Sequence, residues 1–542
     1  MDEKEVRVVQ INETQKNNEK DNNDNKATIK QGEVKQNDSH INLFGFNVSR
    51  FILNVFRFIL LFLLVLLIAY FRIQYSFGES VWVDESVYMW QGYRLLHSPS
   101  LMLSLDYYGN TPFPLLVMAF FNLFTNRLIA GRLTVYFFSL LGIFLVYLIG
   151  RMLKDEYVGF LAALLLTFNQ AHWFFGSRTL MDIPEATMVS LCVYLFLRYE
   201  KERSTMNLIL LLLSLIATVE TKIPAILIFP AIALYYFLPF IIAPRKFLEN
   251  IYTIMKEKTS IYLLGGTFFI FLLSLFFDKE RFLFFVHTAE ALSPRITFIV
   301  KLPAMFSYTV IFFLIIGILL ILFYRKWDAI AILCVFFTYL GAFSLFPSQS
   351  DVRHILPIVP LGMIIASFAY FELSTFVKPF FELPFLEWGL LIIGCIFVIS
   401  LYDSGIALNN DKSYSYTGYY EAGQWLAENL PNGSLAYVSS QGPIRLFSGL
   451  GYRTENGPLR QIQTFGEGRV PNFSKAQLPI YLHIDTWERG PTWSSPITKE
   501  KLQALQAQGF KVVKTVTRKF FDYDTEKLID EYPVHIFLVK TE

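Results

Sequence analysis

Polar and apolar positions divide this chain into three parts. Residues 1–40 are rich in Asn, Lys, Glu, Asp and Gln and nearly free of aromatics. Such a segment buries too little apolar surface to offset chain entropy, so residues 1–49 are expected to form a disordered tail. From Phe51 to Tyr402 the pattern changes to long apolar runs separated by short polar loops. A helix needs ~20 apolar residues to cross ~30 Å of hydrocarbon. Runs near 51–71, 127–150, 157–175, 183–199, 206–220, 223–243, 260–277, 303–323, 328–346, 354–371 and 387–402 predict about eleven crossings on that criterion. The first run is too long for a signal-peptide core and reads as a retained anchor. Beyond residue 402 the pattern is mixed. A helical stretch, Tyr419–Leu430, stops at Pro431-Asn432-Gly433, and a second, Thr498–Gln508, stops at Gly509. Strand-like runs fall at Leu435–Ser439, Ile480–Ile484, Lys511–Val516 and His535–Val539. The predicted architecture is a mainly α polytopic membrane domain over residues 50–402, with interfacial helices in its first outer loop. A small α/β domain over residues 403–542 follows.

Orientation follows from Lys and Arg, which concentrate in short cytoplasmic loops. With the N-terminus cytoplasmic and sides alternating, the inner loops collect Arg151, Lys154, Arg198, Lys201, Arg203, Arg245, Lys246, Lys256, Lys258, Arg325, Lys326 and Lys378. The outer loops hold Arg178, Lys222 and Arg353 nearly alone; the stretch 278–301 is the exception. An odd number of crossings puts the C-terminal domain outside, with a cell membrane as the expected location. Asn432 and Asn472 open N-x-Ser sequons on that side.

Composition narrows the classes. The chain is 54% hydrophobic and 17% charged over 542 residues. That excludes a simple soluble enzyme, a disordered chain and a collagen-like fibre. A net charge of +2 carries no footprint of a nucleic-acid partner. Cys192, Cys334 and Cys395 lie inside apolar runs, where no disulfide framework is built. Neither GxxxxGK[ST] nor GxGxxG occurs, so an activated nucleotide bound in a soluble domain is not indicated.

Chemistry-bearing residues sit on four outer loops. The long first loop, 72–126, holds Trp82-Val83-Asp84-Glu85-Ser86-Val87-Tyr88. As a helix it places Asp84, Tyr88 and Gln91 on one face and Val83, Val87 and Trp90 on another, the pattern of an interfacial helix. A carboxylate partly desolvated at that depth gains value as a base. The bland alternative is an acidic helix N-terminus. The second loop holds Ser177-Arg178 and Asp182 ahead of Pro184-Glu185; Asp182 equally suits a helix cap, and Arg178 a snorkelling cation. The third, Glu220-Thr221-Lys222-Ile223-Pro224, is a tight hairpin whose charges are costly beside hydrocarbon unless paired or wet. The fourth holds Arg353-His354-Ile355-Leu356-Pro357. Arg353 offers a planar fork suited to phosphate oxygens. A lone His more often satisfies a local hydrogen bond than binds a metal. Together these acids and bases suit a lipid-borne phosphate, neutralised by cations as it leaves while a carboxylate takes a proton from an attacking hydroxyl.

From Phe51 to Tyr402 the chain resembles the C-type polytopic glycosyltransferases, the branch that includes protein O-mannosyltransferases and lipid A aminoarabinose transferase. The likeness rests on Asp84-Glu85 with Tyr88, Ser177-Arg178 with Asp182, Thr221-Lys222-x-Pro224, and Arg353-His354-Ile355-Leu356-Pro357. It implies a polyprenyl- or dolichyl-phosphate sugar as donor, an extracytoplasmic acceptor and a single inverting displacement. Carried over by position, Asp84 is the catalytic carboxylate, Glu85 its neighbour and support, and Asp182 the second acidic group. Lys222 and Arg353, with Arg178, hold the donor phosphate, and Tyr88 and His354 count with the substrate-binding residues. Metal dependence varies in this superfamily; Asp84 and Asp182 are the residues that would hold a divalent ion. Two features depart from the family. Gly109-Asn110-Thr111-Pro112-Phe113-Pro114 stands where Lys-Pro-Pro or His-Pro-Pro is common. The Trp-Trp-Asp motif of oligosaccharyltransferases is absent, which favours transfer of one sugar over transfer of a preassembled glycan. The competing reading is a transporter or flippase of a lipid-linked sugar. That function calls for charges within the spans, whereas here they cluster at span ends.

Overall fold

The computed structural model describes residues 40–43, 46–49, 81–97, 112–242, 258–277, 297–345, 352–377, 417–431, 434–450, 459–461, 479–485, 499–521 and 528–541, with short pieces within 244–252 and 393–408. The span expected at 51–71 lies outside these residues, as do Asn432 and Asn472; that at 387–402 is described only in part. The chain divides into two compact units, Met1–Ile68 and Ala69–Glu542. In the first, β1 (His40–Leu43) and β2 (Phe46–Ser49) pair antiparallel, from His40↔Ser49 to Leu43↔Phe46. This hairpin falls at the end of the segment expected to be disordered.

The second unit begins with α1 (Val83–His97) and α2 (Pro112–Asn122), then α3 (Arg127–Leu153), α4 (Glu156–Phe168), α5 (Gln170–Gly176) and α6 (Asp182–Lys201). It continues with α7 (Thr205–Val219), a 3₁₀ turn (Ile223–Leu227), α8 (Ile228–Ile242) and α9 (Lys258–Phe277). After α10 (Thr297–Phe306), α11 (Tyr308–Phe323) and α12 (Trp327–Leu345), a second 3₁₀ turn (Val352–Ile355) leads into α13 (Ile358–Val377). Side-chain caps mark the starts: Asn126 accepts from Ile129 N–H, Asp155 from Tyr157 and Val158 N–H, and Ser204 from Asn207 N–H. Among the described residues four helices are long and apolar enough to cross a membrane, or six if each of two bent pairs is one span.

Both bent pairs correct expectations of continuous spans. At 157–175 the helix breaks by 61° at Asn169, whose side chain caps α5 through His172 N–H and donates to Met305 O. At 303–323 a 113° bend separates α10 from α11 at Ser307, which takes φ 62°. A serine in that left-handed region ends α10, so the apolar helix starts only at Tyr308. In α11 one stripe, Val310, Leu314, Gly317 and Ile321, is buried, while Phe312, Ile315, Leu319 and Phe323 are exposed. That division suits a helix packed on one side and facing lipid on the other. The axes of α3 and α4 approach so closely that a Cβ added at Gly150 would lie 2.7 Å from Gly159 Cα.

Helix ends gather in two places. At one end of the bundle Lys154 pairs with Glu372 at 3.2 Å, and Lys201 lies 4.0 Å from Asp328 and donates to Met152 O. These residues come from the loops expected to be cytoplasmic. The other end carries the site described below.

The C-terminal part contains α14 (Tyr419–Asn429), β3 (Leu435–Val438), α15 (Gln441–Ser448), β4 (Leu459–Gln461), β5 (Ile480–Asp485), α16 (Lys499–Ala507), β6 (Lys511–Phe521) and β7 (Leu528–Lys540). The strand order is β4-β3-β5-β7-β6, with β3 parallel to β4 and β5, and β7 antiparallel to β5 and β6. Alternation along β5 sends Ile480, Leu482 and Ile484 into one core with Leu505, Phe510, Ile536 and Leu538. The opposite face packs on Tyr419, Ala422, Leu426 and Ile444, and receives Trp425 against Phe537. Gly509 takes φ 91°, the expected helix stop after α16. Neither α15 nor β4 was expected from the sequence pattern.

Candidate active site

The helix predicted around Asp84 forms as α1, and its first turn separates the two acids. Glu85 is fully buried. Its Oε1 accepts from Trp82 N–H at 3.1 Å, which caps the helix by the return of an N3 carboxylate. Its Oε2 accepts from Thr179 N–H at 2.7 Å, and Arg178 and Arg132 stand 3.6 and 3.9 Å from the carboxylate. Arg178 also lies over the rings of Trp82 and Phe174, at 5.1 and 4.6 Å. Glu85 and Arg178 therefore form one buried clamp that ties α1 to the start of α6.

Asp84 points elsewhere. Its side chain is 46% exposed and accepts from Arg353 Nη1 at 2.9 Å. Lys222, in the hairpin before the first 3₁₀ turn, donates to Asp182 Oδ1 at 2.7 Å and lies 3.5 Å from Glu185. Burial opposes the charge on Lys222, but Asp182 and Glu185 more than offset it and hold the ammonium above the usual lysine range. Phe113 N–H bonds to Glu220 O at 3.2 Å, anchoring this hairpin to α2.

Tyr88, one turn after Asp84, is the common neighbour. Burial, then the surrounding charges of Lys222, Asp84, Asp182 and Arg353, leave its phenol well above the ordinary tyrosine range. All four loops thus converge on one locus. His354 stacks on Phe343 at 5.8 Å in the turn that precedes α13, and its Nε2 has no hydrogen-bond partner. Burial, then Lys222, pushes its imidazole down to about 3, so it is neutral.

Asp84 and Asp182 are each met by a basic side chain, at 2.9 and 2.7 Å. Among the described residues the group of three metal-ligating side chains lies in the C-terminal domain. A divalent ion held by these two carboxylates would have to share them with Arg353 and Lys222, and the chemistry below routes no step through one.

Three contributors carried no assigned role in the sequence reading. Glu185 was visible only as an acid one turn beyond Asp182. Arg132 lies inside an apolar helix with nothing in its spacing to single it out. The third is α15, whose Leu446 and Phe447 pack with Val81, Met89 and Met181 beneath α1. A Cβ added at Gly442 would collide with the Ser86 hydroxyl, whereas Val83 O and Ser86 Cβ lie at an ordinary 3.5 and 3.6 Å. Gly442→Ala is therefore expected to lower activity by displacing α1, and Ser86→Ala in the same chain to restore it. Kinetics of both single variants and the double variant check this; additive losses would show that the contact does not matter.

Residues 111–277 match a family model described as dolichyl-phosphate-mannose-protein mannosyltransferase. No curated protein matches the chain significantly. Among solved structures, apo ArnT from Cupriavidus metallidurans is 13% identical, with TM-score 0.57 over 90% of this chain and 98% of that one. The same protein bound to undecaprenyl phosphate is 14% identical, with TM-score 0.55 over 88% and 97%. The Archaeoglobus fulgidus oligosaccharyltransferase tethered to an acceptor peptide is 15% identical, with TM-score 0.52 over 75% and 65%. At these identities the structural likeness speaks for the fold and the family match for residues 111–277, and together they bear out the resemblance to C-type polytopic membrane glycosyltransferases.

Proposed function

We propose that this protein transfers a single sugar, with inversion, from a polyprenyl- or dolichyl-phosphate donor to a protein, lipid or glycan acceptor on the non-cytoplasmic face. One observation carries the reading: an accessible carboxylate, Asp84, and two basic side chains, Lys222 and Arg353, meet around Tyr88 at one end of a membrane helix bundle. The relative of this fold bound to undecaprenyl phosphate holds the same class of anion.

In this mechanism the donor phosphate lies against Lys222 and Arg353. The acceptor attacks the anomeric carbon from the opposite face, Asp84 takes its proton, and the bond to the phosphate oxygen breaks with its electron pair. The cations stabilise the charge that develops on the departing phosphate. Tyr88, half-buried and protonated, donates a hydrogen bond within the pocket. Asp182 and Glu185 hold the Lys222 ammonium in place. Glu85, Arg132 and Arg178 act through α1 and touch no substrate.

The purified protein in proteoliposomes, given labelled polyprenyl-phosphate sugar and acceptor, is expected to release polyprenyl phosphate as sugar is transferred. Arg353→Gln removes a charge-assisted contact worth about 1.5–3 kcal/mol, so the donor KM is expected to rise about 10- to 100-fold. Lipid movement between leaflets without acceptor modification would replace this reading with the flippase.

A further inference from the structure

We propose that His483, Asp485 and His535 form a binding site for a divalent cation of the zinc class, built into the C-terminal domain and separate from the transfer site. His483 and Asp485 occupy alternate positions of β5, so both face α14, and His535 stands directly opposite Asp485 in the antiparallel register of β7. All three are buried, and one ligating atom from each lies within 4.8 Å of the others. His483 Nε2 and His535 Nδ1 are 3.0 Å apart. Two imidazole nitrogens and one carboxylate oxygen are the donors that zinc takes, leaving a fourth position for water or the Ser439 hydroxyl.

The surroundings orient these donors. His535 Nε2 lies 2.7 Å from Thr417 O, which can only accept. The proton is thereby fixed on Nε2, and the Nδ1 lone pair is left facing His483, as in many metal-bound histidines. Asp485 is held on both oxygens, by Ser439 Oγ at 2.6 Å and Tyr419 OH at 2.9 Å. Charge supplies the second argument. Asp485 is 4% exposed, and among the described residues no basic side chain pairs with it. Buried carboxylates are normally met by a cation or a metal. A hydrogen-bonded histidine pair does not account for the site, because two neutral imidazoles place no positive charge beside the buried carboxylate. A bound ion would join β5 and β7 to Thr417 and Tyr419 at the start of α14, against which α15 packs. Its role would be to brace the domain that supports α1.

The test uses the untagged full chain, stripped with a chelator and titrated with Zn²⁺ or Co²⁺ alone. The expected result is one equivalent bound per chain, a melting temperature raised by several degrees with Zn²⁺, and the visible absorption of tetrahedral cobalt with Co²⁺. His483→Gln and Asp485→Asn are expected to lose the cobalt band. A folded wild-type chain that shows neither the melting shift nor the band overturns the proposal, whatever the variants do. So does a band that survives both substitutions.

Discussion

Asp84→Asn is expected to abolish sugar transfer while leaving the protein folded. The side chain is 46% exposed and hydrogen-bonded to Arg353 at 2.9 Å. An amide of the same shape keeps an oxygen for that bond, so the melting temperature should move by no more than about a degree, as for surface changes of under ~0.5 kcal/mol. What the amide cannot do is take a proton. Losing a positioned general base typically costs about 10²- to 10⁴-fold, and the loss should fall on kcat. The donor KM should stay within a few-fold, because Lys222 and Arg353 remain. A labelled-donor assay on the purified variant, run beside Arg353→Gln, separates the two roles as one kcat defect and one KM defect. Transfer at the wild-type rate would remove Asp84 from the chemistry.

The parts of this site legible in the sequence are those that breach a membrane rule. Lys222 stands out because charge beside an apolar span is costly, Arg353 because its planar fork at a span entrance suits phosphate oxygens, and Asp84 because a carboxylate on an interfacial helix is partly desolvated. The crossings at 127–150 and 328–346 are legible because long, predominantly apolar length is a strong signal. Asn169 and Ser307 were not legible as breaks. Each is one polar residue in a long apolar run, and the bend it makes depends on contacts distant in sequence, as between Asn169 and Met305. The amphipathic pattern of α15 is only eight residues long, and its apolar positions serve a partner, α1, over three hundred residues away. The order of Glu85 and Arg178 against Asp84 and Arg353 also lay beyond the sequence. Adjacent acids on a helix point about 100° apart, but which one turns inward is decided by Arg132 and Arg178 on other elements.

That inward turn makes Glu85 the sharpest contrast to its neighbour. Glu85→Ala is expected to destabilise the protein by about 3–5 kcal/mol, the usual cost of removing one partner from a buried ion pair. It takes away the helix-capping acceptor of Trp82 N–H, the acceptor of Thr179 N–H and the negative charge between two buried guanidiniums. Glu85→Gln should fall between alanine and wild type, because one amide oxygen can still accept while the amide nitrogen faces donors. Adding Arg178→Leu to Glu85→Ala should recover part of the loss, since it removes one of the stranded cations. Thermal melting in detergent reads all three. Activity should track the folded fraction in this series, the reverse of Asp84→Asn, where fold and activity part company. If Glu85→Ala melted like wild type but lost turnover, Glu85 would be the acting acid and Asp84 its support, and the roles of the two adjacent carboxylates would have to be exchanged.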